Sequence, residues 1–176
     1  MFLYFLRHAS AGQPFSSAKK DEKRGLDQDG IEQCGYIGRA LAGLGVQVDV
    51  ILSSPLKRST QTAALVGNEM GHEGKLALEN ALRPEASFLD FQKMLQKYAR
   101  QESILLVGHN PNLRDFLGRV ISDRGCEAAI ELKKGAFAKV EMRRTFGSLS
   151  WCLTPRILRA LHAAAAESAR PKTSRK

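Results

Sequence analysis

Short, continuously apolar runs alternate along this chain with longer stretches in which apolar residues recur every three or four positions. Residues 1–6 (MFLYFL), 48–53 (VDVILS) and 104–107 (ILLV) are rich in aliphatic and aromatic side chains, the pattern of strands covered on both faces of a sheet. Between them, Ile31, Cys34, Ile37, Leu41 and Leu44 recur at helical spacing, with Asp27 placed as an N-cap and Gly45 as a stop. Phe88, Phe91, Leu95 and Tyr98 describe a second amphipathic face, and Leu113, Phe116, Leu117, Val120 and Ile121 a third. Residues 136–142 (AFAKVEM) and 148–153 (SLSWCL) instead alternate in polarity around RRTFG, which predicts a hairpin. Thr154-Pro155 then opens a final helix reaching Ala166.

Up to residue 121 the order is strand, helix, strand, helix, helix, strand, helix, with a hairpin and a helix after it. It predicts a three-layer α/β/α domain whose central sheet is mostly parallel with an antiparallel edge. No repeat or linker divides the chain, so residues 1–168 are expected to form one domain and residues 169–176 a basic, disordered tail. The polar stretch 12–26, which contains Lys19, Lys20, Lys23 and Arg24, is expected to be an exposed loop over the mouth of a pocket.

Composition narrows the class. The 176 residues are 43% hydrophobic and 26% charged, an ordinary globular balance. No apolar run approaches the roughly 20 residues of a membrane span, and Arg7 interrupts the apolar start too early for a signal peptide; a cytoplasmic location is expected. Cys34, Cys126 and Cys152 are odd in number and have no CxxC pair, so neither a disulfide framework nor a zinc site is expected. The net charge of +9 points toward anionic ligands, yet Arg170, Lys172, Arg175 and Lys176 all sit in the terminal RPKTSRK. Basicity is partly a property of the tail, and nucleic acid is not an expected partner.

In an open α/β sheet, ligands collect beyond the carboxyl ends of the strands. Here the three buried strands run into Arg7-His8, into SSPLKRSTQT and into VGHNPN. Ser54-Pro55 reads as an N-cap followed by a proline in the first helical position, which sets Arg58 one turn inside a helix start; Asn110-Pro111 repeats the device beside His109. Arg7, His8, Arg58 and His109 therefore predict a cationic pocket assembled from separate segments. Guanidinium forks orient phosphoryl oxygens, and a neutral imidazole is a competent nucleophile. The chain has no GxxxxGK[ST] loop, no obvious carboxylate cluster for Mg²⁺ and no HExxH or HxxxH spacing, so phosphate chemistry without a metal or organic cofactor is expected.

RHA at residues 7–9, SSPLKRSTQTA at 53–63 and VGHNP at 107–111 resemble the histidine phosphatase superfamily, whose fold is phosphoglycerate mutase-like. The short length and the ending GAFAKVEM followed by SLSWCLTPRIL are similar to the SixA-type phosphohistidine phosphatases, so the resemblance runs to about residue 160. It implies that His8 is the nucleophile and that Arg7, Arg58 and His109 bind the transferring phosphoryl group. RGLDQDG resembles the family's R-x-L-T-x-x-G segment, which implies a place for Arg24 at the pocket rim, where it and Asn110 would bind substrate. Ala9 stands where the family usually has glycine.

Mutases and many phosphomonoesterases of that superfamily protonate the departing oxygen with a glutamate. In the corresponding ALRPEASFLDF the only glutamate is Glu85, the candidate acid. Imidazole is a far better leaving group than an alkoxide, so a site poor in acids favours P–N bonds. The expected substrate is phosphohistidine on a protein. The alternatives are a small phosphate ester, cleaved with Glu85 or an acid from the 12–26 loop, and a binding module that grips a phosphorylated ligand without turnover.

Overall fold

The computed structural model describes residues 1–122, 128–143 and 146–168. Its elements are β1 (Phe2–Arg7), α1 (Ala18–Glu22), α2 (Gln28–Gly43), β2 (Val50–Ser53), α3 (Lys57–Glu69), β3 (Lys75–Leu78), a 3-10 turn (Asn80–Leu82), α4 (Phe88–Lys97), β4 (Ser103–Gly108), α5 (Asn112–Val120), β5 (Phe137–Met142), β6 (Gly147–Leu153) and α6 (Pro155–Ser168). The basic tail, Cys126 and Arg144-Thr145 of the hairpin turn lie outside the described residues.

One sheet runs in the order β3-β2-β4-β1-β5-β6. Strands β3, β2, β4 and β1 are parallel, whereas β5 pairs antiparallel with β1 and β6 antiparallel with β5. The apolar runs become the inner strands because alternate residues serve opposite faces. Leu3 and Phe5 join Leu52, Ile104 and Leu106 under Phe91 and Met94 of α4 and Phe116 and Leu117 of α5. Tyr4 and Leu6 join Ile51, Leu105 and Val107 under α2, α3 and Leu158 of α6. This is the expected three-layer arrangement, with the hairpin as its antiparallel edge.

Several expectations were off in detail. β3 carries no sequence signal: it is four residues long at the sheet edge, with Lys75, Leu76 and Leu78 exposed. The 12–26 stretch contains the short helix α1. Ile31 and Leu44 are exposed, and Gly30, Gln33 and Gly38 occupy the inner face of α2 instead. Neither proline of the two pocket segments stands at a first helical position. α3 begins at Lys57 and α5 at Asn112; before α3, Ser54 N still donates to Val107 O and so extends the ladder past β2. Pro155 does open α6. Asp27 caps α2, its Oδ1 accepting from Gly30 N at 2.8 Å, and Gly45 turns out of it at φ 64°.

Candidate active site

Strand register assembles the site. Arg7 pairs with Gly108, and Ser53 with Val107, so the residues that follow three strands leave the same edge of the sheet side by side. His8 N donates to Gly108 O at 3.0 Å and Ser54 N to Val107 O at 2.9 Å, which carries the ladder one step into the site. The His8 and His109 rings end with their centroids 4.9 Å apart.

His8 lies 2.8 Å from Ala9 O through Nδ1. A carbonyl only accepts, so Nδ1 carries the proton and Nε2 keeps its lone pair. Burial, and after it the charges of Arg58, Arg7 and Lys134, lowers its pKa to about 3, although the bond to Ala9 works in the opposite direction. The imidazole is therefore neutral near pH 7 and nucleophilic at Nε2. His109 is pushed down to about 2, first by burial and then by His8, Arg58, Arg7 and Arg83. Its Nε2 lies 2.9 Å from Ser54 Oγ and 3.1 Å from Ser59 Oγ.

The arginines flank this pair. Arg7 Nη1 donates to Leu132 O at 3.1 Å, and the same carbonyl accepts from Asn110 Nδ2 at 2.8 Å. Arg58, in the first turn of α3, donates through Nη1 to Asp21 O at 3.0 Å and to Asp21 Oδ2 at 3.3 Å. Thr62, one turn later, donates to Arg58 O and accepts from Ala9 N, which ties the helix to the nucleophile loop. Among the described residues the buried side-chain polar atoms without a partner are Arg7 Nε, Arg58 Nε, His109 Nδ1 and Asn110 Oδ1. Such atoms are costly unless a ligand satisfies them, and all four belong to residues of the predicted pocket. Three are nitrogens of Arg7, Arg58 and His109, groups able to donate to an anion.

Two predicted residues stand differently. Arg24 commits its donors within the loop, Nη1 to Ala11 O at 2.6 Å and Nε to Asp21 Oδ1 at 2.7 Å; it braces the loop and holds Asp21 against Arg58. Glu85 is 66% exposed and 2.5 Å from Arg83 Nε, and that hydrogen bond holds its carboxyl below the usual range. An ionised carboxylate is no proton donor. Arg83 also pairs with Glu22 of α1, so the loop over the site is tied to the opposite wall. Beside Arg7 and Asn110 opens a cavity of about 590 Å³, walled by Arg114, Asp115 and residues 128–133. Among the described residues no three His, Cys, Asp or Glu side chains are grouped to hold a metal ion, and no helix is long and apolar enough to cross a membrane.

Sequence reasoning missed Asp21, Ser54, Ser59 and Thr62 as site residues. Ser59 and Thr62 follow Arg58 by one and four positions, and this spacing on a helix was the available signal.

The family model for the histidine phosphatase superfamily (branch 1) matches residues 3–111, the span that carries both histidines and both arginines. The chain belongs to the histidine phosphatase superfamily. It is a phosphatase of that superfamily. An uncharacterized protein of Picosynechococcus sp. is 33% identical over 119 residues, covering 66% of this chain and 70% of that protein. The mitochondrial serine/threonine-protein phosphatase Pgam5 of Drosophila persimilis is 26% identical over 149 residues, 68% of this chain but half of that relative. Among solved structures, the protein histidine phosphatase SixA complexed with tungstate superposes with a TM-score of 0.80 at 22% identity, covering 90% of this chain and 99% of that one. That likeness bears on the fold: superfamily membership and the phosphoglycerate mutase-like architecture agree.

Proposed function

We propose that the protein dephosphorylates phosphohistidine on a protein substrate through a phospho-His8 intermediate. His8 Nε2 attacks phosphorus while the P–N bond to the substrate imidazole breaks, and the substrate histidine leaves. Water then attacks phosphorus on phospho-His8, which releases inorganic phosphate and restores the free imidazole. Arg7 and Arg58 hold the equatorial oxygens, and His109 donates to the developing charge. Phosphoryl transfer of this kind depends mainly on positioning and charge neutralisation.

The observation that carries the choice of P–N over P–O bonds is the state of the nearby acids. Glu85 and Glu22 of the 12–26 loop are both paired with Arg83, and Asp21, the other acid of that loop, is held ionised chiefly by its hydrogen bond from Arg24. An alkoxide leaving group benefits about 10²–10⁴-fold from a proton donor, whereas an imidazole leaves without one. The open basin beside Arg7 has the size to admit a side chain and its flanking backbone, and the similar SixA fold, which bound the oxyanion tungstate, supports the reading.

Rapid quench with a ³²P-labelled histidine-phosphorylated protein tests it. Acid-labile, alkali-stable label is expected on the wild-type chain and not on His8→Ala, whose turnover should fall by about 10³-fold or more. Faster hydrolysis of sugar phosphates than of phosphohistidine, abolished by Glu85→Gln, would establish the ester reading instead. Ligand retention by His8→Ala, with no product from the wild type, would establish a binding module.

A further inference from the structure

Ser54 and Ser59 are fully buried, stand on either side of the start of α3, and both place a hydroxyl at His109 Nε2. The opposite nitrogen, Nδ1, is buried without a partner among the described residues. With Nε2 occupied by the serines, Nδ1 is the only ring nitrogen that His109 has left for a ligand. A phosphoryl oxygen accepts hydrogen bonds and repels a lone pair, so the site works only if Nδ1 carries the hydrogen and Nε2 the lone pair.

The serines supply the bias toward that form. Leu56 N approaches Ser54 Oγ as a donor at 3.4 Å, a long contact that takes up one hydroxyl lone pair and leaves the hydroxyl hydrogen free for His109. Ser59, rooted in α3 next to Arg58, offers a second hydroxyl from the other side. A neutral imidazole has a single lone pair in its plane, so one serine donates while the other stands in reserve.

We propose that Ser54 and Ser59 are positioning residues, one or the other of which donates to His109 Nε2, and that they hold the imidazole in its Nδ1–H tautomer and thereby aim an N–H at the transferring phosphoryl group. This rests on the reading of His109 as a phosphoryl ligand in the proposed function. It also explains why the serine of SSPLKR does not cap its helix: its hydroxyl is engaged with the second histidine.

The test is long-range ¹H–¹⁵N correlation spectroscopy on the full chain with ¹⁵N-labelled histidine, His109 being assigned through its loss in His109→Gln. At pH 7 the wild-type ring should show a protonated Nδ1 and a lone-pair Nε2. In Ser54→Ala/Ser59→Ala the signal should shift toward the other tautomer, with kcat reduced about 10²-fold and KM changed much less, the loss typical of a misdirected transition-state donor. Each single variant should lose less, since the remaining hydroxyl takes over. A wild-type His109 found as the Nε2–H form or as imidazolium would overturn the proposal, as would a double variant that keeps both the Nδ1–H signal and wild-type kcat. The wild-type spectrum decides the matter even if the double variant does not fold. Full activity in His109→Ala is a different result: it would sink the reading of the site on which the inference stands.

Discussion

His8 and His109 are 5% and 2% exposed and lie among Arg7, Arg58 and Lys134, surroundings that penalise a further positive charge. Nε2 of His8, the proposed nucleophile, therefore keeps its lone pair at neutral pH without a base to deprotonate the ring. The same arrangement makes folding sensitive to acid. An unfolded histidine binds its proton near pH 6.5, whereas the folded His8 does so only near 3. The unfolded chain binds more protons between those values, so stability is full above about pH 6.5 and declines as pH falls toward 3. Urea midpoints at pH 7.5 and 4.5 should show the loss, and His8→Ala should reduce it to the share contributed by His109, whose pKa burial also holds low; equal slopes in the two proteins would contradict this account. A window above pH 4.5 keeps the response largely separate from that of Asp21 and Asp27, which titrate at lower pH.

The junction of β1 and α2 shows how elements, rather than single residues, hold the nucleophile. Ser10 N donates to Gln33 Oε1, Ser10 Oγ to Asp27 Oδ2 and Gly12 N to the same oxygen, so the loop after His8 is bonded to the first turns of α2. The helix can come this close because Gly30 has no side chain: a Cβ there would lie 2.0 Å from Ser10 O. Gly30→Ala should accordingly destabilise the fold by about 1–3 kcal/mol, although alanine is the better helix former by roughly 1 kcal/mol. It should also lower kcat by shifting the His8 loop. Denaturant midpoints and turnover measured on the folded fraction check both parts, and a stabilised, fully active variant would refute them. At this scale the long periodic helices, the three inner strands and the hairpin were legible in the sequence, as was the Asp27 cap. β3 was not, because a short edge strand exposed on most of its length needs no apolar run. The helix starts after Ser54 and Asn110 lie further on than local spacing predicts, because a ladder bond to β4 holds Ser54 N and the Asn110 side chain donates to Leu132 O.

Across the whole molecule the site sits at one edge of the sheet, and the core lies behind it on both faces. Phe91 shows how far the two can be separated. It is fully buried, stacks on Phe116 at a centroid distance of 4.8 Å and packs against Phe5 and Phe88. Phe91→Ala should cost about 3–5 kcal/mol, with each kcal/mol lowering Tm by about 2–4 °C in a chain of this size. Turnover per folded molecule should stay near the wild-type value, and a collapse of kcat without a drop in Tm would count against this separation. What the amino-acid order determined by itself was the layered α/β class, the four side chains Arg7, His8, Arg58 and His109, and the family. Buried strands, periodic helices and strand-end motifs are all local signals. What only the tertiary structure decided was partnership: that Asp21 pairs with Arg58, that Glu22 reaches Arg83, and that Ser54 and Ser59 meet on one nitrogen of His109. Those contacts join residues distant in the chain, and strand register and helix docking, not local spacing, bring them within hydrogen-bonding distance.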